Sequence, residues 1–181
     1  MPLKSKNIIL GITGSIAAYK ACDIIRKLVK EGANVECILT KRAAEFITPL
    51  TLQTLSKNKV HTHMFGKNHN WDIEHISLAK KADIILIAPA SADSIARFAA
   101  GRADDLLSCT VLASKAKIII CPAMNSNMYN HKAVRNNISI LESFGYKIIP
   151  AQKGELACGD SGDGRLALID TIISETVKCI S

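Results

Sequence analysis

The residues best equipped for chemistry gather in a few short stretches. The densest is Gly154-Glu155-Leu156-Ala157-Cys158-Gly159-Asp160-Ser161-Gly162-Asp163-Gly164-Arg165. Its glycines adopt backbone conformations that other residues resist, so the segment can open, close or lie against a ligand. A cysteine in such a polar setting has no core to pack, and Cys158 stands out for its thiol. His75 brings a group whose protonation changes near neutral pH. It precedes Ile76-Ser77-Leu78-Ala79 and an apolar strand. Spacing alone leaves a functional imidazole and a hydrogen-bonded structural one equally open. Asn125 sits within Pro122-Ala123-Met124-Asn125-Ser126-Asn127-Met128-Tyr129. A buried amide there could bind a ligand; the alternative is a helix cap or an Asx-turn.

Anion-binding chemistry is suggested elsewhere. Thr13-Gly14-Ser15 joins an apolar run to a helical pattern, and a helix N-terminus offers N–H groups and partial positive charge. The glycine spacing is not GxGxxG, so a tight turn without a ligand is nearly as good a reading. Thr40 is placed to cap the next helix or to serve a phosphate. Pro89-Ala90-Ser91-Ala92-Asp93-Ser94 is a polar turn at the C-terminal edge of a strand, where open α/β sheets bind ligands. No acidic residue ends the second strand, which disfavours a dinucleotide with a free ribose diol and favours a mononucleotide. His61, His63 and His69 have no Asp, Glu or Cys at ligand spacing, and read as solvated loop histidines, not as a metal site. The six cysteines form no CxxC pair, which speaks against zinc or iron–sulfur. In a reducing compartment they are free thiols.

The elements that must position these groups follow from the hydrophobic pattern. Asn7 to Ile12 and Asp83 to Ala88 are apolar without alternation, as buried parallel strands are. Val35 to Leu39, Lys117 to Cys121 and Tyr146 to Pro150 complete the expected strands. Helices are expected from Ile16 to about Lys30 with Gly32 as stop, from Lys41 to Phe46 and from Pro49 to about Leu55. Others are expected over Ile95 to Ala99, Asp104 to Ser114, Lys132 to Phe144 and Leu168 to Ile180. The alternation predicts an α/β class: a Rossmann-like or flavodoxin-like open parallel sheet with helices on both faces. The 181 residues suit a single domain, with 153–166 expected as a mobile clamp loop.

Composition agrees with this reading. A hydrophobic fraction of 48% and a charged fraction of 22% suit a globular core, and 4% aromatics make that core aliphatic. The net charge of +7 comes from scattered residues, without the basic and aromatic interleaving of single-strand binders. No nucleic-acid partner is expected, and an anionic small molecule is favoured. No apolar run approaches the ~20 residues of a membrane span, and the N-terminus lacks a signal-peptide core. The expectation is a cytoplasmic protein with no membrane association.

Taken in order, Gly14-Ser15-Ile16-Ala17, Pro89-Ala90-Ser91-Ala92-Asp93, Pro122-Ala123-Met124-Asn125-Ser126-Asn127-Met128 and Ala157-Cys158-Gly159-Asp160 resemble the homo-oligomeric flavin-containing cysteine decarboxylases. The resemblance covers essentially the whole chain. The Gly-Ser pair is its weakest motif. The Cys158 run, which resembles the family's substrate clamp, is its strongest. Two positions depart: Ser91-Ala92-Asp93-Ser94 stands where the family has Ser-Ala-Asn-Thr, and Tyr129 where Trp is common.

The resemblance implies bound FMN in a pocket completed by neighbouring subunits of a trimer, often assembled further into a dodecamer. Gly14, Ser15, Ile16 and Thr40 would hold the phosphate, and Ser91, Ala92, Asp93, Ser94 and Ala123 would line the rest of the flavin site. The implied reaction is decarboxylation of 4′-phosphopantothenoylcysteine to 4′-phosphopantetheine, on the route to coenzyme A. Direct loss of CO2 would leave an unstabilised carbanion. Oxidation of the cysteine side chain to a thioaldehyde creates a C=S electron sink, decarboxylation gives an enethiolate, and reduced FMN returns the electrons. By this resemblance His75 serves the first half, Asn125 and Ala157 bind substrate, and Cys158 supplies the last proton. In bacteria the family's domain is often fused to a synthetase, and the resemblance leaves open a separate phosphopantothenoylcysteine synthetase as a partner here. A peptidyl-cysteine decarboxylase of lantibiotic-type precursors shares the chemistry and stays open. A flavin prenyltransferase would need extra basic residues at a prenyl-phosphate site and leaves the Cys158 run without a role. A non-enzymatic FMN-binding regulatory subunit is disfavoured because such subunits carry acidic tails, which this sequence does not show.

Overall fold

The computed structural model describes residues 1–64, 73–155, 159 and 161–180. The strands β1 (Asn7–Ile12), β2 (Asn34–Leu39), β3 (Val60–His61), β4 (Ile84–Ala90), β5 (Lys117–Pro122) and β6 (Lys147–Ile148) form one parallel sheet. Their order is β3-β2-β1-β4-β5-β6. The order reverses between β1 and β4, and ligands of open α/β sheets bind in the crevice beyond the strand ends at such a point.

Strand alternation explains the two-sided core. Ile8, Leu10 and Ile12 face one way, onto Ile24, Ile25 and Leu28 of α1 (Ala21–Lys30), Leu52 of α2 (Pro49–Ser56) and Ile172 of α8 (Ile169–Ile180). Ile9, Ile85 and Ile87 face the other way. They meet Leu78 of α3 (Glu74–Lys81), Ile95 and Phe98 of α4 (Ala92–Ala99), Leu107 of α5 (Leu106–Ala113) and Leu141 of α7 (Lys132–Ser143). The short α6 (Ser126–Asn130) follows β5. Every residue of β4 is buried, as expected of a strand covered on both faces. Among the described residues, no helix is long and apolar enough to cross a membrane.

Several local expectations change. The helix predicted from Ile16 starts as a 3-10 turn over Ile16–Lys20 before α1. The helix predicted over Lys41 to Phe46 contracts to the turn Ala43–Glu45, though Thr40 Oγ1 still accepts from Ala43 N–H at 3.3 Å. Ala92, Asp93 and Ser94 belong to the first turn of α4 and not to an open turn, because the Ser91 hydroxyl accepts from Ser94 N–H and starts the helix early. The segment read as an irregular glycine-rich loop contains an antiparallel hairpin. Its strands are β7 (Gln152–Glu155) and β8 (Ser161–Arg165), paired through Gly154 and Gly162. Alternating polar and glycine residues hid these strands, which have little apolar pattern. Leu156, Ala157, Cys158 and Asp160 lie outside the described residues.

One buried side chain ties the two central strand ends together. Thr13, fully buried, donates its hydroxyl to Pro89 O and accepts from Ser91 N–H, each at 2.8 Å. Thr13→Val preserves shape but strands the Ser91 N–H without its acceptor. The expected cost is about 1–3 kcal/mol of folding stability, read from urea denaturation midpoints. An unchanged midpoint would show that the staple contributes nothing.

Candidate functional site

A cavity of about 610 Å3 opens at the carboxyl ends of β1, β4 and β5. Gly14, Ser15 and Ile16 line it after β1, Ser91 and Ala92 after β4, and Ala123, Met124 and Asn125 after β5. Gly164 and Arg165 of the hairpin face it as well. An adjoining cavity of about 440 Å3 is lined by Thr40, Asp93 and Ser94, with Arg42 and Arg97. Gly14 and Ser91 line both. The sequence-predicted flavin residues therefore divide between two neighbouring spaces around those two positions.

Local geometry explains how each is held. Ser15 is extended, and its hydroxyl accepts from Ala17 N–H at 3.3 Å while its own N–H donates to Thr13 O. What Ser15 presents is therefore a hydroxyl and not an amide. A Cβ on Gly14 would stand 2.6 Å from Arg42 Cβ, so glycine alone lets the β1 end run this close to the arginine. The Ser91 and Ser94 hydroxyls lie 3.1 Å apart, with Ser94 buried. Asp93 is exposed and its carboxylate accepts from Arg97 Nε at 3.0 Å, which offsets the negative charge the family pattern lacks at that position.

Asn125 departs from expectation. It is exposed, not buried, and caps α6: Oδ1 accepts from Asn127 N–H at 2.9 Å and Met128 N–H at 3.4 Å. Asn125 also lines the cavity, so the cap and the cavity share this side chain. The cap reading and the ligand reading are thus compatible.

Two cations at this cavity carry no sequence signal. Lys20 and Arg165 both line it, and burial together with the Arg165 charge lowers the Lys20 pKa below the usual lysine value. Two like charges held at one rim make a place for an anion. They share the cavity because the hairpin brings Arg165 to the side that Lys20 lines. Ile16, Tyr19, Phe46 and Met128, large apolar side chains that are nonetheless exposed, surround the same opening.

His75 lies elsewhere. It is the second residue of α3, half-buried, and lines neither cavity. The positions of Cys158 and Ala157 fall outside the described residues.

His61 is corrected most. Expected in solvent, it is 6% exposed and sits between two glutamates. Nδ1 lies 2.7 Å from Glu74 Oε1 and Nε2 lies 3.0 Å from Glu36 Oε2; Lys59 meets Glu74 and Lys81 meets Glu36. The sequence gap between these residues concealed the cluster. Among the described residues, no group of three or more His, Cys, Asp or Glu could hold a metal ion. Chiefly through the hydrogen bond to His61, and against the cost of burial, the Glu36 pKa falls from 4.5 to about 2.

A carboxyl with a depressed folded-state pKa contributes stability above its unfolded value and loses it as pH falls through the folded one. Glu36→Gln should therefore flatten the fall in stability between pH 4.5 and about 2. Urea midpoints across that range test this, and an unaltered slope would contradict it. Cys37 and Cys121 are buried strand residues whose thiols burial pushes upward, Cys37 to about 12. Both are neutral core groups.

A family profile described as Flavoprotein matches residues 1–181. The chain is 46% identical over 176 residues to the coenzyme A biosynthesis bifunctional protein CoaBC of Bacillus subtilis (strain 168), across 97% of this chain and 43% of that protein. It is 45% identical over 173 residues to a probable phosphopantothenoylcysteine decarboxylase of Streptococcus mutans, across 94% of this chain and 97% of that one. The chain thus spans less than half of the bifunctional relative. Among solved structures, a cysteine-to-serine mutant of PPC decarboxylase complexed with pantothenoylaminoethenethiol superposes with a TM-score of 0.84 at 29% identity, over 96% of this chain and 97% of that one. The FMN binding protein AtHal3 gives 0.81 at 30% identity, over 96% and 95%.

Proposed function

Because this chain belongs to the Flavoprotein family, matched over residues 1–181, we propose that it is an FMN-dependent decarboxylase of 4′-phosphopantothenoylcysteine. The observation that carries the reading is the cavity at the carboxyl ends of β1, β4 and β5, with its apolar wall, hydroxyl-bearing turns and paired cations. That donor set suits a flavin mononucleotide. Ala17, Ala123 and Leu166 offer apolar surface for a flat ring, and Gly14, Ser15, Ser91 and Thr40 offer close backbone and hydroxyls for a ribityl phosphate. When bound, FMN supplies the two-electron chemistry.

The rest falls to the chain's own residues. Lys20 and Arg165 suit an anionic end of the substrate, phosphate or carboxylate. Asn125 would orient the carboxylate. The hairpin tip, within 153–166, would close over the site and exclude water, with Ala157 against the substrate and Cys158 giving the final proton to the enethiolate carbon. His75 would act at the substrate thiol from a neighbouring subunit. This is supported by its position away from the cavity of its own chain and by the exposed Ile16, Tyr19, Phe46 and Met128 around the opening. A trimer, alone or assembled into a dodecamer, is part of the proposal, and a phosphopantothenoylcysteine synthetase is the proposed source of substrate.

Purified protein should show an FMN spectrum and release CO2 from 4′-phosphopantothenoylcysteine, but not from a peptide ending in cysteine. Cys158→Ser should still release CO2 while accumulating the oxidised enethiol. The neighbouring structure of a cysteine-to-serine mutant with pantothenoylaminoethenethiol supports this. Full turnover by Cys158→Ser would remove its proton-donor role, and absence of CO2 release by the unaltered protein would remove the proposed activity.

A further inference from the structure

The start of α3 lacks a side-chain cap, because Ile73 at the N-cap position has no polar side-chain atom. What holds it is a bond to the sheet edge: Glu74, the first helical residue, meets the His61 ring at 2.7 Å. The other ring nitrogen reaches Glu36 at 3.0 Å, and Glu36 also meets Lys81, the last residue of the same helix. His61 therefore joins both ends of α3 to β2 and β3. Strand register explains the convergence. His61 is opposite Ile38, and Glu36 lies two residues before it, so the three share the face that α3 covers with Leu78. Each ring nitrogen has a carboxylate oxygen within hydrogen-bond distance, so the imidazole is held from both sides. Lys59 completes the cluster by meeting Glu74.

We propose that His61 is a positioning residue for His75, setting the first turn of α3 through Glu74 so that the neighbouring imidazole is presented in one place. The proposal rests on the reading of His75 as the residue that acts at the substrate thiol. His75 directly follows Glu74, and a one-residue slip of the first turn would swing it by about 100° around the helix axis. Glu36 and Lys81 prevent the slip from the other end. None of these four groups lines the flavin-side cavity, so their effect on chemistry passes through the helix.

The test uses the full FMN-loaded protein. His61→Leu removes both bonds, and Glu74→Gln removes one charge while keeping size. The first readout is the ring-nitrogen resonances of His75 in 15N-histidine-labelled protein without substrate. The second is the single-turnover rate of flavin reduction by substrate. Both variants are expected to shift the His75 resonances, to slow flavin reduction about tenfold or more, and to leave KM within about twofold. In a His75→Asn background they should add nothing further. Unmoved resonances with a rate within about twofold of the parent would overturn the proposal, as would slowing that multiplies with His75→Asn. If His61→Leu does not fold, Glu74→Gln decides the matter by the same two readouts. Should His75→Asn reduce flavin at the parental rate, the reading of His75 fails and the proposal falls with it. Unmoved resonances in the other variants overturn the placement alone, so the two failures are distinguishable.

Discussion

Gly164→Ala is expected to lower kcat/KM by about 100-fold, because it unseats the hairpin from the body of the sheet. Gly164 has φ of 124°, where an L side chain is strained. An added Cβ would stand 2.3 Å from Met124 O and 3.3 Å from Met124 C. Both atoms are backbone, so no side-chain rotation relieves the clash. The same residue accepts from Met124 N–H at 3.0 Å, the bond that docks β8 against the segment leading to Asn125. Moving Gly164 therefore moves its neighbour Arg165, which lines the cavity together with Lys20. Gly145→Ala separates strain from seating: its φ is 83°, yet nothing lies within 4 Å of the added carbon. That variant should lose about 1 kcal/mol of stability and keep its kcat/KM. A Gly164→Ala protein with parental kcat/KM would show that the hairpin's seat is irrelevant to turnover.

The second large effect is expected at His75. His75→Asn should bind FMN normally, yet reduce flavin with substrate, and release CO2, about 1000-fold more slowly. Asparagine approximates the volume of imidazole but cannot exchange a proton near neutral pH. Because His75 lines neither cavity of its own chain, the proposed site joins two subunits. Co-expressed His75→Asn and Gly164→Ala chains should then regain part of the activity that each lacks alone. One subunit would offer an intact cavity and the other an intact histidine. A mixture no more active than its components would argue against the shared site, and parental CO2 release by His75→Asn alone would make the residue structural.

The legible part of this protein was the part written in periodicity and small-residue punctuation. Continuous apolar runs such as Asp83 to Ala88 read as strands covered on both faces, although β4 runs on to Ala90, and the alternation with helical stretches implies a parallel sheet. Ser91 was legible as a polar residue at a strand end, although its capping bond, which lengthens α4 to include Asp93, was not. The hairpin is silent in the sequence because strand signals rest on apolar alternation, and Ser161-Gly162-Asp163-Gly164-Arg165 has none. Its strands exist because partner backbone and the Met124 dock satisfy them.

The sequence by itself determined the class of fold, the core strands, the glycine and serine turns at their carboxyl ends, and the motifs that place the chain in its family. These are local: a run of side chains decides them through burial, capping and backbone freedom. Only the tertiary fold settles three things: that Lys20 and Arg165 share one cavity, that His61 is held between Glu36 and Glu74, and that His75 lines neither cavity. Each depends on which distant segments the sheet order brings together. Charge pairing acts through space, and the strand order β3-β2-β1-β4-β5-β6 sets those spaces in a way no window of neighbouring residues contains.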